Sequence, residues 1–280
     1  MRKKVLRVLT MALALFFACA SANAADFTIG IMQDKPGAAQ KFGPLIALFK
    51  SKGVDVGLQG YSNYPDAAIK FADGAVSAMF AGSGVAGTMI IKDLAYPLVR
   101  PVDKRGYSTY WAVVLAPKGS PEFTGDPAYF KGKEIICSAL ASSGEFFARS
   151  LLGPNRELKK AGSHGIAIEA LAKGQADVAI VKNRVWDSVK GDYPGLEKVG
   201  QDDGENPNNA LIVSYKADKD KVAKIREILL ALENDNSQEA IQVRQSMGVE
   251  KFIPTTMEDF SHTLGLLRKA GVTKDFNFSY

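Results

Sequence analysis

Residues 64–82, YPDAAIKFADGAVSAMFAG, and residues 164–182, HGIAIEALAKGQADVAIVK, carry one pattern twice at an offset of 100. Ala67 matches Ala167, Ala72 matches Ala172, Gly74 matches Gly174, and Leu171 stands where Phe71 stood. Each copy opens as a helix with Gly as its C-terminal stop and continues into a short apolar strand. Pro65 suits the first helical turn of the first copy. Each strand then meets a loop, Gly82-Ser83-Gly84 in one copy and Lys182-Asn183-Arg184 in the other. Two readings are open. Any chain of βαβ units yields such matches by chance. Alternatively the chain holds two similar α/β lobes, and the two loops face each other across a cleft, since ligands of open α/β sheets bind outside the carboxyl ends of the strands.

The same alternation extends outward along the chain. FTIGIM (27–32), VDVGLQGY (54–61), GKEIICSAL (132–140) and NALIVSYK (209–216) read as strands. Residues 39–53, 84–93 and 142–152 read as helices, and YSTYWAVVLAPKG (107–119) as one long β-rich run. The end is helical over 219–234, 238–247 and 256–270. Strands alternating with helices imply βαβ units and mainly parallel sheets.

The start of the chain bears on compartment. Arg2, Lys3, Lys4 and Arg7 precede an apolar stretch, Val8 to Ala18, that ends in small residues and the A-x-A site Ala22-Asn23-Ala24. This is the layout of a secretory signal, and the stretch falls short of the ~20 residues of a membrane-spanning helix. Residues 1–24 are therefore expected to be an export signal and the mature protein to be periplasmic. Anchoring as a lipoprotein through Cys19 is the weaker reading, because Phe16-Phe17-Ala18 is a poor lead-in. The signal holds four of the 35 basic residues and none of the 30 acidic ones, leaving 31 against 30. A nearly neutral chain lacks the basic patch that nucleic acid needs. Loss of Cys19 also leaves Cys137 without a cysteine partner, so no internal disulfide is expected, and Cys137 reads as a buried strand residue.

Catalytic and cofactor motifs are missing from the sequence. GDPAYFKGK (125–133) lacks the spacing of a phosphate-binding P-loop, and Gly82-Ser83-Gly84 is not a nucleophile elbow. There are no paired cysteines, and His164 and His262 lie far apart, so neither a metal nor a cofactor is expected. His262, near Asp259, reads as structural. Two helix mouths hold donors instead. SALASSGEF (138–146) places Ser142 and Glu145 in the S-x-x-E spacing of a capping box, yet its hydroxyls and N–H groups also suit an anion at a helix N-terminus. GSHG (162–165) offers Ser163 as a cap and His164 as an imidazole donor.

The ordered set YPDAAIKFADGAVSAMFAG, WAVVLAPKGSP, FKGKEIICSALASSG, GSHGIAIEALAKGQADVAI and NPNNALIV resembles the phosphonate-binding-protein-like family, the periplasmic receptors of ABC importers for phosphonate, phosphite or phosphate. The resemblance covers nearly the whole mature chain. It implies a two-lobed periplasmic-binding-protein fold of type II, each lobe a mainly parallel sheet flanked by helices. Lobe 1 is expected over 25–114 plus 209–280 and lobe 2 over 115–208, with interlobe crossings near 112–116 and 207–211. It implies Ser142, Ser143 and Gly144 as holders of the oxyanion, with His164 and Tyr64 beside them, and Ser83 closing from the other lobe. Where amine-binding members carry acids, this chain has Lys182 or Arg184, and Asn209, which argues against an amine-bearing ligand. An aromatic residue common near Ala81 is also missing. The expected protein is a non-enzymatic receptor that closes on a small oxyanion, docks as a monomer on an inner-membrane ABC permease, and binds no nucleic acid. Two other classes remain open: a same-fold receptor for another small molecule or a sensory partner, and an exported enzyme. Glu145, so close to Ser143, would disfavour a fully charged phosphate.

Overall fold

The computed structural model describes residues 27–32, 38–138 and 142–278, and of Tyr64 the backbone alone. The expected export signal and Cys19 lie outside the described residues. The first half runs β1 (Thr28–Met32), α1 (Gly43–Ser51), β2 (Gly57–Tyr61), α2 (Tyr64–Asp73), β3 (Ala78–Ala81), α3 (Ser83–Ile91) and β4 (Ala95–Asp103). It continues through β5 (Thr109–Tyr110), β6 (Ala112–Pro117), β7 (Ile135–Ser138), α4 (Ser143–Leu152), β8 (Lys159–Ala161), α5 (His164–Ala172), β9 (Val178–Lys182), α6 (Asn183–Val189) and β10 (Leu196–Gln201). It closes with β11 (Asn206–Pro207), β12 (Ala210–Ser214), α7 (Lys219–Ala231), α8 (Gln238–Met247), β13 (Val249–Pro254) and α9 (Ser261–Lys269).

The repeated pattern is a repeated topology. Among the described residues the strands form sheets of order β13-β4-β12-β3-β1-β2 and β10-β6-β9-β7-β8. β1 pairs in parallel with β2 and β3, as β7 does with β8 and β9. β12 pairs antiparallel with β3 and β4, as β6 does with β9 and β10. Hence β3 and β9 are equivalent, and so are the helices that precede them. The two stops work alike: Gly74 and Gly174 have φ of 79° and 71°, the left-handed region that favours glycine.

The sheets are mixed, because β6 and β12 arrive from the opposite lobe and run against their neighbours. The two passages are bound together where β5 pairs antiparallel with β11, Tyr110 opposite Asn206. The lobe boundary expected after residue 114 falls inside β6, which belongs whole to the second sheet, and the first passage lies ahead of it, at 104–111. No glycine or proline separates Tyr110 from Ala112, so the run 107–119 shows no break in sequence although it serves two sheets. The return lies at 202–209.

Side chains alternate across each strand, so each sheet buries both faces. Ile29, Ile31, Phe80 and Val213 fill one face of the first sheet, and Met79, Ala81 and Ile212 the other. Val114, Cys137 and Ile180 fill one face of the second, and Val113, Ile136 and Val181 the other. This explains the continuous apolar runs of β3, β6, β9 and β12. Burial pushes the Cys137 thiol up to about 12, the state of an inert core residue. β4 lies between β12 and β13 despite Pro97 and Pro101, and register shifts in both ladders accompany the prolines. α9 joins the lobes: Leu267 packs with Phe146 of α4, and Gly87 of α3 lies so close that a Cβ there would stand 2.5 Å from Leu267. Among the described residues no helix is long and apolar enough to cross a membrane.

Candidate functional site

A cleft of ≈ 570 Å³ opens between the sheets at the carboxyl ends of β1, β3, β7 and β9, bordered by Ile31, Gly82, Ser138 and Lys182. Helices α1, α3, α4, α5 and α6 start on it, α1 after Phe42 and α6 after Lys182. Gly82, Ser142 and Ser163 are the N-cap residues of α3, α4 and α5, and all three line the cleft. Each helix mouth presents N–H groups without intrahelical partners and the positive end of its dipole.

The two adjacent serines divide the work. Ser142 Oγ accepts the Glu145 N–H at 3.2 Å and donates to the Ser138 carbonyl at 2.6 Å, so its proton is committed to the cap. Ser143 is 7% exposed, and its hydroxyl has no hydrogen-bond partner among the described residues, although it lies near the Tyr110 hydroxyl, whose pKa burial raises against the opposing pull of the Ser83 and Ser143 hydroxyls. Gly144 is behind the wall rather than on it. A Cβ there would stand 2.1 Å from the Ile180 carbonyl oxygen, so glycine lets α4 settle onto β9. The Glu145 carboxylate faces Arg149 at 3.3 Å and Lys160 at 3.5 Å. With those cations beside it, it does not oppose an anion as its sequence position suggests.

At the next helix mouth Ser163 Oγ caps α5 by accepting the Ile166 N–H at 3.2 Å. His164 Nδ1 accepts the Lys182 N–H at 3.4 Å. Burial, with help from the Lys182 charge, holds this imidazole down at about 4, so it is neutral at physiological pH. With Nδ1 accepting, the proton sits on Nε2, which becomes a donor. Lys182, half-buried, is held in two ways: Nζ donates to Asn208 Oδ1 at 2.5 Å and lies 3.9 Å from the Tyr110 ring centroid. Burial first, and then Arg184, bring its ammonium down to about 7.

Arg184 and Asp103 form a short ion pair that joins α6 of the second lobe to the end of β4 in the first. Burial works against the Asp103 charge, but the N–H groups of Tyr107 and Arg105 and the Arg184 guanidinium outweigh it and hold its carboxyl below the usual range. Arg184 Nη1 is buried and has no partner among the described residues. Asn209 lines the cleft with φ of 50°, a left-handed conformation that Asn tolerates at the return crossing.

The structure thus brings Ser142, Ser143, His164, Lys182 and Asn209 to one cleft. Ser83, 1% exposed, is not among its described lining residues; its hydroxyl is hydrogen-bonded to that of Tyr110 on β5. The backbone of Tyr64 starts α2, capped by Asn63, and its side chain is outside the description. Tyr110, Asn208 and Asp103 escaped sequence reasoning; only the left-over polar residues around two strand ends hinted at them. Among the described residues no group of His, Cys, Asp and Glu is placed to hold a metal ion. His262 is structural: Nε2 lies 2.9 Å from both Asp202 oxygens, and its ring fills the space beside Gly204.

Comparison with known structures finds the same fold at low identity. A Xanthomonas citri protein bound to ATP matches with a TM-score of 0.72 at 14% identity, over 88% of this chain and 98% of its own. PhnD1 from Prochlorococcus marinus, in complex with methylphosphonate, matches with 0.66 at 14%, over 88% and 98%. A binding protein component of an ABC phosphonate transporter from Pseudomonas aeruginosa matches with 0.63 at 15%, over 87% of each chain. Comparison with curated proteins yields no match. The model of the phosphonate periplasmic substrate-binding proteins of ABC transporters matches residues 28–260. With that match spanning both lobes and the cleft between them, the chain belongs to this family of periplasmic substrate-binding proteins, which are solute receptors and not enzymes.

Proposed function

We propose that the protein captures a small tetrahedral oxyanion of the phosphate, phosphite or phosphonate type and delivers it, as a monomer, to an ABC permease of the inner membrane. The observation that carries this reading is the convergence of three helix mouths, α3, α4 and α5, on a cleft that also holds Lys182 and Arg184. Two buried donors of residues lining that cleft, Ser143 Oγ and Arg184 Nη1, lack hydrogen-bond partners among the described residues; a buried unpaired polar group costs about 1–3 kcal/mol, and an oxyanion would relieve both. His164 Nε2 and the Lys182 ammonium supply further donors, and charge-assisted hydrogen bonds are about twice as strong as neutral ones. Ser142, Ser163 and Gly144 serve the anion through the helices they cap or seat.

Closure would turn about β5 and β11, bringing α3 and the Asp103 end of the first lobe toward α4, α5 and α6. The Arg184–Asp103 pair is a ready latch between the two. Asp103 is the sole carboxylate among the described lining residues, and it is already engaged by Arg184, so none of the described lining acids waits for a ligand amine. In this reading residues 1–24 direct export and are removed.

Calorimetry against phosphate, phosphite, methylphosphonate, 2-aminoethylphosphonate, sulfate and taurine tests the reading. Binding of one or more of the amine-free oxyanions is expected. Tight binding of the amine-bearing compounds alone would refute it, and turnover of any panel member would favour an enzyme.

A further inference from the structure

The walls of the cleft differ in kind. The second lobe contributes the serine hydroxyls, the imidazole and two of the described cations, Lys182 and Arg184, with Lys41 on the first lobe beside Phe42. The first lobe contributes Ile31, Phe42, Phe80, Val85, Met247 and Val249. Phe42 and Phe80 form a tilted pair with ring centroids 5.5 Å apart, and Phe80 is backed by Phe252 at 6.1 Å, so this wall is braced by the core. A tetrahedral oxyanion displaces about as much volume as two or three waters of ~30 Å³ each. Most of a 570 Å³ cleft is therefore left for whatever the anion carries.

We infer that the ligand is an oxyanion bearing an apolar substituent larger than methyl, an alkyl or aryl phosphonate or its phosphate-ester counterpart, with the substituent lying on the Phe42–Phe80 wall. The inference rests on the oxyanion reading above and goes further by naming what the anion is attached to. The described charged residues on the first-lobe side are Lys41 and Asp103. Lys41 repels an ammonium substituent and Asp103 is spoken for by Arg184, so charge and shape select the same class. Full burial of one methylene is worth about fourfold in affinity and of two about sixteenfold, so two more methylenes partly buried on an open wall predict a gain of about tenfold.

Calorimetry on the mature protein with four ligands decides the matter: phosphate, methylphosphonate, n-propylphosphonate and 2-aminoethylphosphonate. The last two are nearly isosteric and differ in the terminal charge. n-Propylphosphonate is expected to bind about tenfold tighter than methylphosphonate and at least tenfold tighter than 2-aminoethylphosphonate. Phe80→Ala should erase the first difference. Because Phe80 also belongs to the core, Met247→Glu, at a half-exposed helix end, provides a second arm: it should lower affinity for the propyl compound and raise it for the aminoethyl one. If methyl and propyl compounds bind equally, or the aminoethyl compound binds best to the unaltered protein, the inference is overturned while the oxyanion site stands. If none of the four binds, both readings fall.

Discussion

Ser142→Ala and Ser143→Ala differ by one position in the chain and should differ in the sign of their effect on stability. Ser142 Oγ caps α4 and also satisfies the Ser138 carbonyl. Loss of an N-cap costs ~1 kcal/mol, with a range of about 0.5–2, and the carbonyl left behind adds to it. We expect about 1–2 kcal/mol of destabilisation. In a chain of this size 1 kcal/mol lowers the unfolding midpoint by about 2–4 °C, so a fall of roughly 2–8 °C follows. Ser143 Oγ has no partner to lose. Its removal relieves a buried hydroxyl, leaving stability unchanged or raised by up to ~1 kcal/mol. Affinity should respond in the opposite order. A hydrogen bond to a charged group contributes about 1.5–3 kcal/mol, so Ser143→Ala should weaken methylphosphonate binding about 10- to 150-fold. Ser142→Ala, whose proton points to Ser138, should change it no more than about threefold. Calorimetric scanning without ligand and titration with ligand measure both quantities on the same samples. Equal destabilisation by the two variants, or an unchanged affinity in Ser143→Ala, would refute the division of roles.

Two further outcomes follow from charge and packing. Lys182 is held at about 7 in the folded protein against 10.5 unfolded, so between those values the unfolded chain holds more protons and folding stability rises with pH. An anion favours the charged ammonium, so binding at pH 8 should take up close to one proton, read from calorimetry in buffers of different ionisation enthalpy; Lys182→Met should remove that uptake, and its persistence would assign the proton elsewhere. Gly144→Ala gains ~1 kcal/mol of helix propensity but drives a Cβ to 2.1 Å from backbone oxygen, a clash costing ~1–3 kcal/mol or more. It should be destabilising, whereas Gly165→Ala, whose nearest neighbour would be Ser163 Oγ at 3.9 Å, should be neutral or stabilising by up to ~1 kcal/mol; urea unfolding of the pair checks the contrast.

The division between what could and could not be read from residues alone has physical causes. Runs such as AVSAMFAG and ADVAIVKN announce themselves because strands buried on both faces need apolar residues throughout. β4 does not, since Pro97 and Pro101 stand in it and its ladders absorb them by register shifts. β8, β10 and β13 are short or half-exposed and lack a continuous apolar run. The passage at 104–111 is hidden because an apolar run carries no mark of which sheet it joins. At the cleft the pattern pointed to helix mouths that do line it, but it could not tell their atoms apart. Ser142 and Ser143 look alike in sequence, and only Ser143 keeps an uncommitted hydroxyl. Ser83 looks exposed in a glycine loop, yet Tyr110, 27 residues away, holds it. Phe42 and Phe80 read as core and serve as core, with one face left over for the cleft.

The most informative part of the repeated pattern is where its two copies diverge. β3 and β9 hold equivalent places in equivalent sheets, and each delivers the loop at its carboxyl end to the same cleft. In one copy that loop is Gly82-Ser83-Gly84 and in the other Lys182-Asn183-Arg184. The common topology therefore fixes where the cleft opens, between two strand ends. The difference in loop residues decides which wall is cationic: the second, where Lys182 and Arg184 stand. Glycine at position 82 adds no side chain to the first wall, so at that strand end the wall is Phe80 and Val85, with its charges, Lys41 and Asp103, set to the sides. Exchanging Gly82 for Lys would place a second ammonium opposite the first, and an oxyanion gripped from both walls would then leave no apolar surface for its substituent. One backbone device, used twice with different residues, thus gives the cleft its polarity, and the proposed ligand uses it with its anion on one side and its substituent on the other.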